Sequence, residues 1–330
     1  MNLSPFFNSY AGMYVAQSFC HSVIASIIAD QAVKLWKIDD PGIRQRFRLI
    51  VVLFPIFSFP LYQVLNPGRS SVLFRLSALF DINRWLNMEI WGIIPFSILF
   101  LIVLALTSLI FLFQEMIPVL RHTLESKHAV HEGARAHTDP FLERASVALS
   151  IATPEMLIVD DDEPVILSTT GKNPAILIST GLSKTLTPDE MQAALAHEIA
   201  HIARSRRPVL LVVFLLRMIM FFNPVVLVEF RRVVRNEEKI CDDIAVSITH
   251  RPEALAEALK KFYAVRDTSN GPDVEQPMFT PVRLEEHSYN MQLDTRITRL
   301  EQDMPRSSSG RWFSFLIVVL IIAGISYFVV

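Results

Sequence analysis

Residues 10–29 and 91–113 contain no charged side chain. Each is long enough to cross the roughly 30 Å hydrocarbon layer of a bilayer as a helix. Two further stretches join them. Residues 49–65 are slightly short and carry Pro55 and Pro60, which predicts a kinked span; residues 312–330 are uncharged. With 51% hydrophobic and only 19% charged residues, the chain is too apolar for an ordinary soluble protein. The first ten residues hold no Lys or Arg, so no signal-peptide head precedes the first block, which reads as a retained span. Gln17, Ser18, His21 and Ser22 within it predict a face turned toward other helices rather than lipid.

Charge orients the set. The connection at 30–48 carries Lys34, Lys37, Arg44, Arg46 and Arg48, whereas the N-terminal residues have none. Positive-inside bias places that loop in the cytoplasm and the N-terminus outside. The chain after residue 113 is then cytoplasmic, and Arg306 and Arg311 precede the last span on the same side. The expected organisation is a membrane domain of three spans at 1–113, a cytoplasmic domain at 114–310 and a C-terminal span at 311–330.

The inserted region is large enough for a core of its own. It opens with a helix-like juxtamembrane stretch through His137. Short apolar runs at 156–159, 165–168 and 175–179, separated by Asp, Pro and Gly, read as strands. The rest reads as helical, interrupted by a Pro- and Gly-containing loop around 268–281.

Thr187-Pro188-Asp189-Glu190 is a helix start: Thr187 as N-cap, Pro188 at the first helical position, Glu190 completing a capping box. The helix it opens carries His197-Glu198-Ile199-Ala200-His201. At a spacing of four, the two imidazoles lie one turn apart on one face and can ligate a single Zn²⁺, one per chain. Glu198 projects to the side, placed to act as general base toward water. Such a pentad also arises by chance, but here it sits in a capped helix with Ala193, Ala194, Leu195, Ile199 and Ile202 around it.

A catalytic zinc needs a third protein ligand and an open position. No His follows closely, and the best candidate is Glu238 in Arg235-Asn236-Glu237-Glu238-Lys239-Ile240-Cys241-Asp242, on a helix that Asn223-Pro224 starts. Asp242, one turn on, would orient a ligand imidazole. Glu237 reads as surface charge, and Cys241 as a small packed residue. If residues 208–230 crossed the bilayer once, the ligands would lie about 30 Å apart, which zinc–ligand bonds of about 2 Å forbid. That run therefore re-enters, lies at the membrane surface or packs inside the domain.

These residues resemble the membrane gluzincin peptidases, above all the metallopeptidase domain of the β-lactam sensor-transducers (the BlaR/MecR kind). The similar segments are Asn173-Pro174-Ala175-Ile176-Leu177-Ile178-Ser179, the pentad followed by Ile202 and Arg204, Phe222-Asn223-Pro224, and Glu238 with Cys241-Asp242. The heat-shock (HtpX kind) and CAAX prenyl-protein membrane peptidases share much of this, and Arg296-Ile297 with Leu300, following His287, is similar to them as well. The resemblance covers about residues 140–302, in matching order and spacing. It implies an α-helical membrane protein of a bacterial inner membrane with an inserted α+β, thermolysin-like zinc peptidase domain facing the cytoplasm. It also implies Glu238 as third ligand and an edge strand, supplied by the runs at Val165 and Ala175, that holds substrate by β-addition. The chain departs from the pattern in having Arg206 where the sensors usually have Asp, and Ser288 rather than Pro after His287. No penicillin-binding segment follows, so β-lactam sensing is not expected.

Other signals carry less. His122, His128, His131 and His137 are read as a solvated juxtamembrane stretch in preference to a second metal site. Asp160-Asp161-Asp162-Glu163 lacks the spaced ligands of a Ca²⁺ loop and reads as an acidic turn. His287 and Arg296 are candidates for oxyanion or substrate contacts. A net charge of −2 gives no argument for nucleic acid, and two distant cysteines form neither a disulfide framework nor a thiolate site. The expected activity is zinc-dependent endoproteolysis of a protein or peptide near the inner face of the bilayer, with regulatory proteolysis as one role. The alternative is a silent membrane sensor or peptide-binding scaffold with a structural zinc, which leaves Glu198 without a use.

Overall fold

The computed structural model describes residues 4–117, 135–169, 173–205, 209–269, 293–302 and 312–330. Its main helices are α1 (Tyr10–Leu35), α2 (Pro41–Leu65), α3 (Phe96–Phe111), α4 (Pro140–Ala148), α5 (Thr180–Thr185), α6 (Pro188–Ser205), α7 (Val209–Ile219), α8 (Pro224–Thr249), α9 (Pro252–Ser269) and α10 (Trp312–Tyr327). Four strands form one sheet: β1 (Arg135–His137), β2 (Glu155–Val159), β3 (Ile166–Thr169) and β4 (Ala175–Ser179). Two compact units result. The first comprises Met1–His128, Val209–Asn236 and Ser307–Val330, the second Ala129–Pro208 and Glu237–Arg306.

In the first unit, α1, α2 and the helix Phe96–Gln114 are long and apolar enough to cross a membrane. Ser9 caps α1 by accepting from the Gly12 N–H, and Asp40 caps α2 ahead of Pro41 by accepting from Ile43. Both helices therefore begin in polar residues outside their apolar stretches. Pro55 and Pro60 lie inside α2 without interrupting it. Gln17, Ser18, His21 and Ser22 are fully buried, the inward face the sequence predicts for the first span.

Two expected spans are shorter than their apolar sequence. Residues 91–95 are not helical: Glu89–Ile90 pairs with Ile94–Pro95 as a small hairpin. Trp91 and Gly92 turn it at φ 54° and 68°. Hydrophobicity alone does not separate a strand from a helix over so few residues. The last apolar stretch, Phe313–Tyr327, is shorter than the three span-length helices. Val329 leaves it to form a parallel bridge with Phe80.

The apolar run at 208–230 breaks into α7 and the start of α8, and it groups with the apolar helices rather than with the sheet. Val213, Met220 and Val226 are buried in one cluster with Val52 and Ile56 of α2. The turn falls at Asn223, whose side-chain oxygen accepts from the Val225 N–H at 3.1 Å to cap α8. Its amide also bonds the Ser22 hydroxyl at 3.1 Å, midway along α1. From there α8 follows α1. Glu229 accepts from Ser26 at 2.9 Å, and Arg232 pairs with Asp30 at 3.3 Å. Arg48 joins Asp30 and Glu229, so this corner is a closed ionic network.

In the second unit the sheet order is β1-β2-β4-β3, with β2 parallel to β4 and the outer strands antiparallel to their neighbours. His137 is a strand residue, paired with Met156, and not the end of a helix. Alternation along β4 sends Ile176 and Ile178 into a core completed by Leu142 of α4, Leu182 of α5, Leu195 and Ile199 of α6, Val246 of α8 and Leu255 of α9. The acidic run is a turn, as expected. Asp161 accepts from the Glu163 N–H at 2.9 Å, and its carbonyl accepts from Gly181 at 2.8 Å. β3, like β1, is an outer strand of the sheet among the described residues.

Candidate functional site

Helix α6 starts as its sequence predicts. The Thr187 N–H donates to Glu190 Oε2 at 2.9 Å, and the Glu190 N–H donates back to Thr187 Oγ1 at 3.4 Å. Lys261 of α9 donates to the same Glu190 carboxylate at 2.6 Å, pinning the helix start to its neighbour. Ala193, Leu195, Ala196 and Ile199 are buried, so the polar pentad is held against a packed core.

On this helix His197 Nε2 and His201 Nε2 lie 3.0 Å apart. Glu238 of α8 faces both, Oε2 at 3.6 Å from His197 and Oε1 at 3.6 Å from His201. The ligating atoms of these three side chains all lie within 4.8 Å of one another. Behind them, His197 Nδ1 is 3.1 Å from Asp242 Oδ1, and Cys241 Sγ is 3.5 Å from His201 Nδ1. Arg296 grips Asp242 with two hydrogen bonds, Nε to Oδ2 at 2.8 Å and Nη2 to Oδ1 at 2.7 Å. Its Nη1 reaches Glu238 Oε2 at 3.1 Å. Glu198 turns to the sheet, where the Ser168 hydroxyl of β3 donates to its Oε2 at 2.6 Å.

Electrostatics make this a cation-seeking cluster. Burial opposes charge on His197, but Asp242 and Glu238 outweigh it and raise its pKa to about 9. Burial likewise pushes the carboxyl of Asp242 up, yet the adjacent His197 and the Arg296 guanidinium hold it well below the usual carboxylate range. Glu238 is lowered against its burial for the same reason. His201 is lowered by burial and by the neighbouring His197. The Cys241 thiol is pushed far up by burial and then by Glu238 and Glu237, so it stays protonated.

The donor set fits a catalytic zinc. Two imidazole nitrogens and one carboxylate oxygen converge, one imidazole is backed by a buried carboxylate, and the anionic partners favour a cation at their focus.

Of the residues singled out from sequence, the structure brings together His197, Glu198, His201, Glu238, Asp242 and Arg296; His287 lies outside the described residues, as do His122, His128 and His131. Glu237 is no surface charge. It is 6% exposed and paired with Arg204 of α6, because helical spacing turns it inward beside Glu238. Arg296 is committed to two carboxylates, a role that its place in the sequence does not reveal. The only cue to Ser168 in the sequence is the alternation of a four-residue strand.

Span-length helices joined to a unit in which two histidines of one helix meet a glutamate of another, with a second glutamate alongside, define a class: the membrane peptidases. The sequence profile described as BlaR1 peptidase M56 matches residues 88–298. The chain belongs to that family of membrane peptidases. It is also similar to HtpX proteases. It is 47% identical to protease HtpX of Psychrobacter sp. (strain PRwf-1) over 58 residues, 17% of this chain and 19% of that protein. Identity is 30% over 90 residues with the HtpX homolog of Leuconostoc mesenteroides, 26% of this chain and 29% of the relative. With the homolog of Syntrophobacter fumaroxidans it is 23% over 234 residues, 58% of this chain and 80% of the relative. The chain thus spans only about a fifth of the length of the Psychrobacter protein.

Proposed function

We propose that this chain is a zinc-dependent endopeptidase of the gluzincin kind, with a thermolysin-like catalytic unit, cutting protein or peptide substrates at the inner face of a bacterial plasma membrane. The observation that carries the reading is the focus of His197, His201 and Glu238 on one point beside Glu198. These three residues would hold the ion, which supplies Lewis acidity, polarising the scissile carbonyl and acidifying water.

The chain's own groups do the rest. Glu198 takes a proton from water as it adds to the carbonyl and delivers it to the leaving amine. Asp242 fixes the tautomer and plane of His197, and Arg296 holds Asp242 and Glu238 in register. The outer edge of β3 offers main-chain hydrogen bonds to an extended peptide. Cleavage of a regulatory protein in the cytoplasm is the role that fits the likeness to sensor-transducers.

The test is metal analysis and hydrolysis of quenched-fluorescent casein by the full chain in detergent. The parent should hold about one zinc per chain, and His197→Ala, His201→Ala and Glu238→Ala should each empty the site. Glu198→Gln should keep the zinc and lose hydrolysis. A Glu198→Gln protein as fast as the parent, or a fully zinc-loaded Glu238→Ala protein, would refute the assignment. Zinc retained with no hydrolysis in the parent would favour the silent scaffold.

A further inference from the structure

We infer that Ser168 is a positioning residue that couples peptide binding on the edge of the sheet to the carboxylate of Glu198; this rests on the peptidase reading above. Strand β3 pairs antiparallel with β4, Leu167 opposite Leu177 and Ser168 opposite Ile176. Just before it, the Ser179 N–H donates to the Val165 carbonyl at 3.0 Å. In an antiparallel ladder, bonded and non-bonded pairs alternate. Val165 being a bonded position, Leu167 is the next, and the main-chain groups of Ile166 and Ser168 point away from β4. They face the outer edge, where a peptide strand would add.

The side chains of β3 alternate as well. Leu167 is 42% exposed, while the Ser168 hydroxyl reaches α6 and donates to Glu198 Oε2 at 2.6 Å. One residue thus presents its backbone to an incoming peptide and its hydroxyl to the base. Glu198 has one oxygen tied to the strand, which leaves the other to take and return the proton. A shift of the edge strand on binding moves the carboxylate with it, because 2.6 Å leaves no slack. The neighbouring Thr169 hydroxyl bonds instead to the Ala175 main chain at 3.1 Å, closing the end of the strand pair.

The experiment compares Ser168→Ala and Ser168→Thr with the parent and with Glu198→Gln, using quenched-fluorescent casein for kcat and KM. Zinc content and the Kd of an uncleaved fluorescein-labelled peptide are measured on the same full-length preparations. Ser168→Ala should lower kcat about ten-fold or more, the scale of one hydrogen bond to a charged group. KM, peptide Kd and zinc content should stay at parental values. Ser168→Thr, which restores a hydroxyl, should recover most of kcat. A Ser168→Ala enzyme with parental kcat overturns the coupling while leaving the peptidase reading intact, provided Glu198→Gln is inactive. Loss of kcat that Ser168→Thr fails to restore, or that comes with lost zinc, marks the residue as structural and also overturns it. Parental hydrolysis that survives Glu198→Gln would instead strike at the peptidase reading itself.

Discussion

Asp242 is 1% exposed, and a carboxylate in such a place keeps its charge only if its surroundings repay the lost water. His197 and the two hydrogen bonds from Arg296 do so. Asp242→Ala should therefore do two things: take from the Arg296 guanidinium one of its two carboxylates, and free His197 to rotate. We expect a loss of about 10–100-fold in zinc affinity or turnover, less than for removal of a ligand. Competition with a chelator measures the first and casein hydrolysis the second; parental values for both would reduce Asp242 to a packing role. At this scale the sequence was legible wherever chemistry follows from spacing along one helix. His197 and His201 stand four residues apart with Glu198 between them, and Glu238 and Asp242 repeat that spacing on α8. Glu238 and Asp242 were also legible as partners of the α6 histidines, but other contacts between elements were not: Ser168 to Glu198, Cys241 to His201, Arg204 to Glu237. Those contacts exist only once the sheet and helices have packed.

Among the elements, the strand-to-helix corner after β4 is the tightest. A side chain at Gly181 would overlap the main chain of Asp162, and the Gly181 N–H already donates to the Asp161 carbonyl. The acidic turn thus rests directly on the start of α5, with Thr180 bonding Asp160 and Lys184 bonding Asp162 at its sides. Gly181→Ala must push backbone against backbone. Overpacking of this kind costs about 1–3 kcal/mol, which denaturant titration of the purified protein should show as a lowered midpoint. An unchanged midpoint would mean that the turn yields freely. The apolar runs flanking this corner were readable as strands because turn residues bound them. The strand at His137 was not, because three exposed residues carry no alternation to recognise. The break at Trp91 was hidden for the opposite reason, since residues 91–95 carry no charge and run on into the apolar helix that follows.

For the whole molecule, sidedness is an expectation that the charge pattern carries. Lys34, Lys37, Arg44, Arg46 and Arg48 surround the link between α1 and α2, and positive-inside bias assigns that link to the cytoplasm. The turn at Asn223 lies beside Ser22, within α1, and α8 then advances past Ser26 to Asp30, at the basic end. What the packing shows of the run at 208–230 is that Val213, Met220 and Val226 lie against Val52 and Ile56 of α2. The charge bias alone carries the expectation that the unit holding Glu238 faces the cytoplasm. Cysteine accessibility tests this in intact cells with an impermeant maleimide. Glu89→Cys, exposed in the connection between α2 and α3, should be labelled from outside. Glu143→Cys, exposed on α4, should react only after the membrane is opened. The native thiols interfere little, Cys241 being buried and Cys20 partly so. Labelling of Glu143→Cys in intact cells would invert the orientation and turn the enzyme toward envelope substrates. Labelling of both positions from outside would mean that α3 does not span, which its charge-free sequence forbids only if it is immersed in lipid.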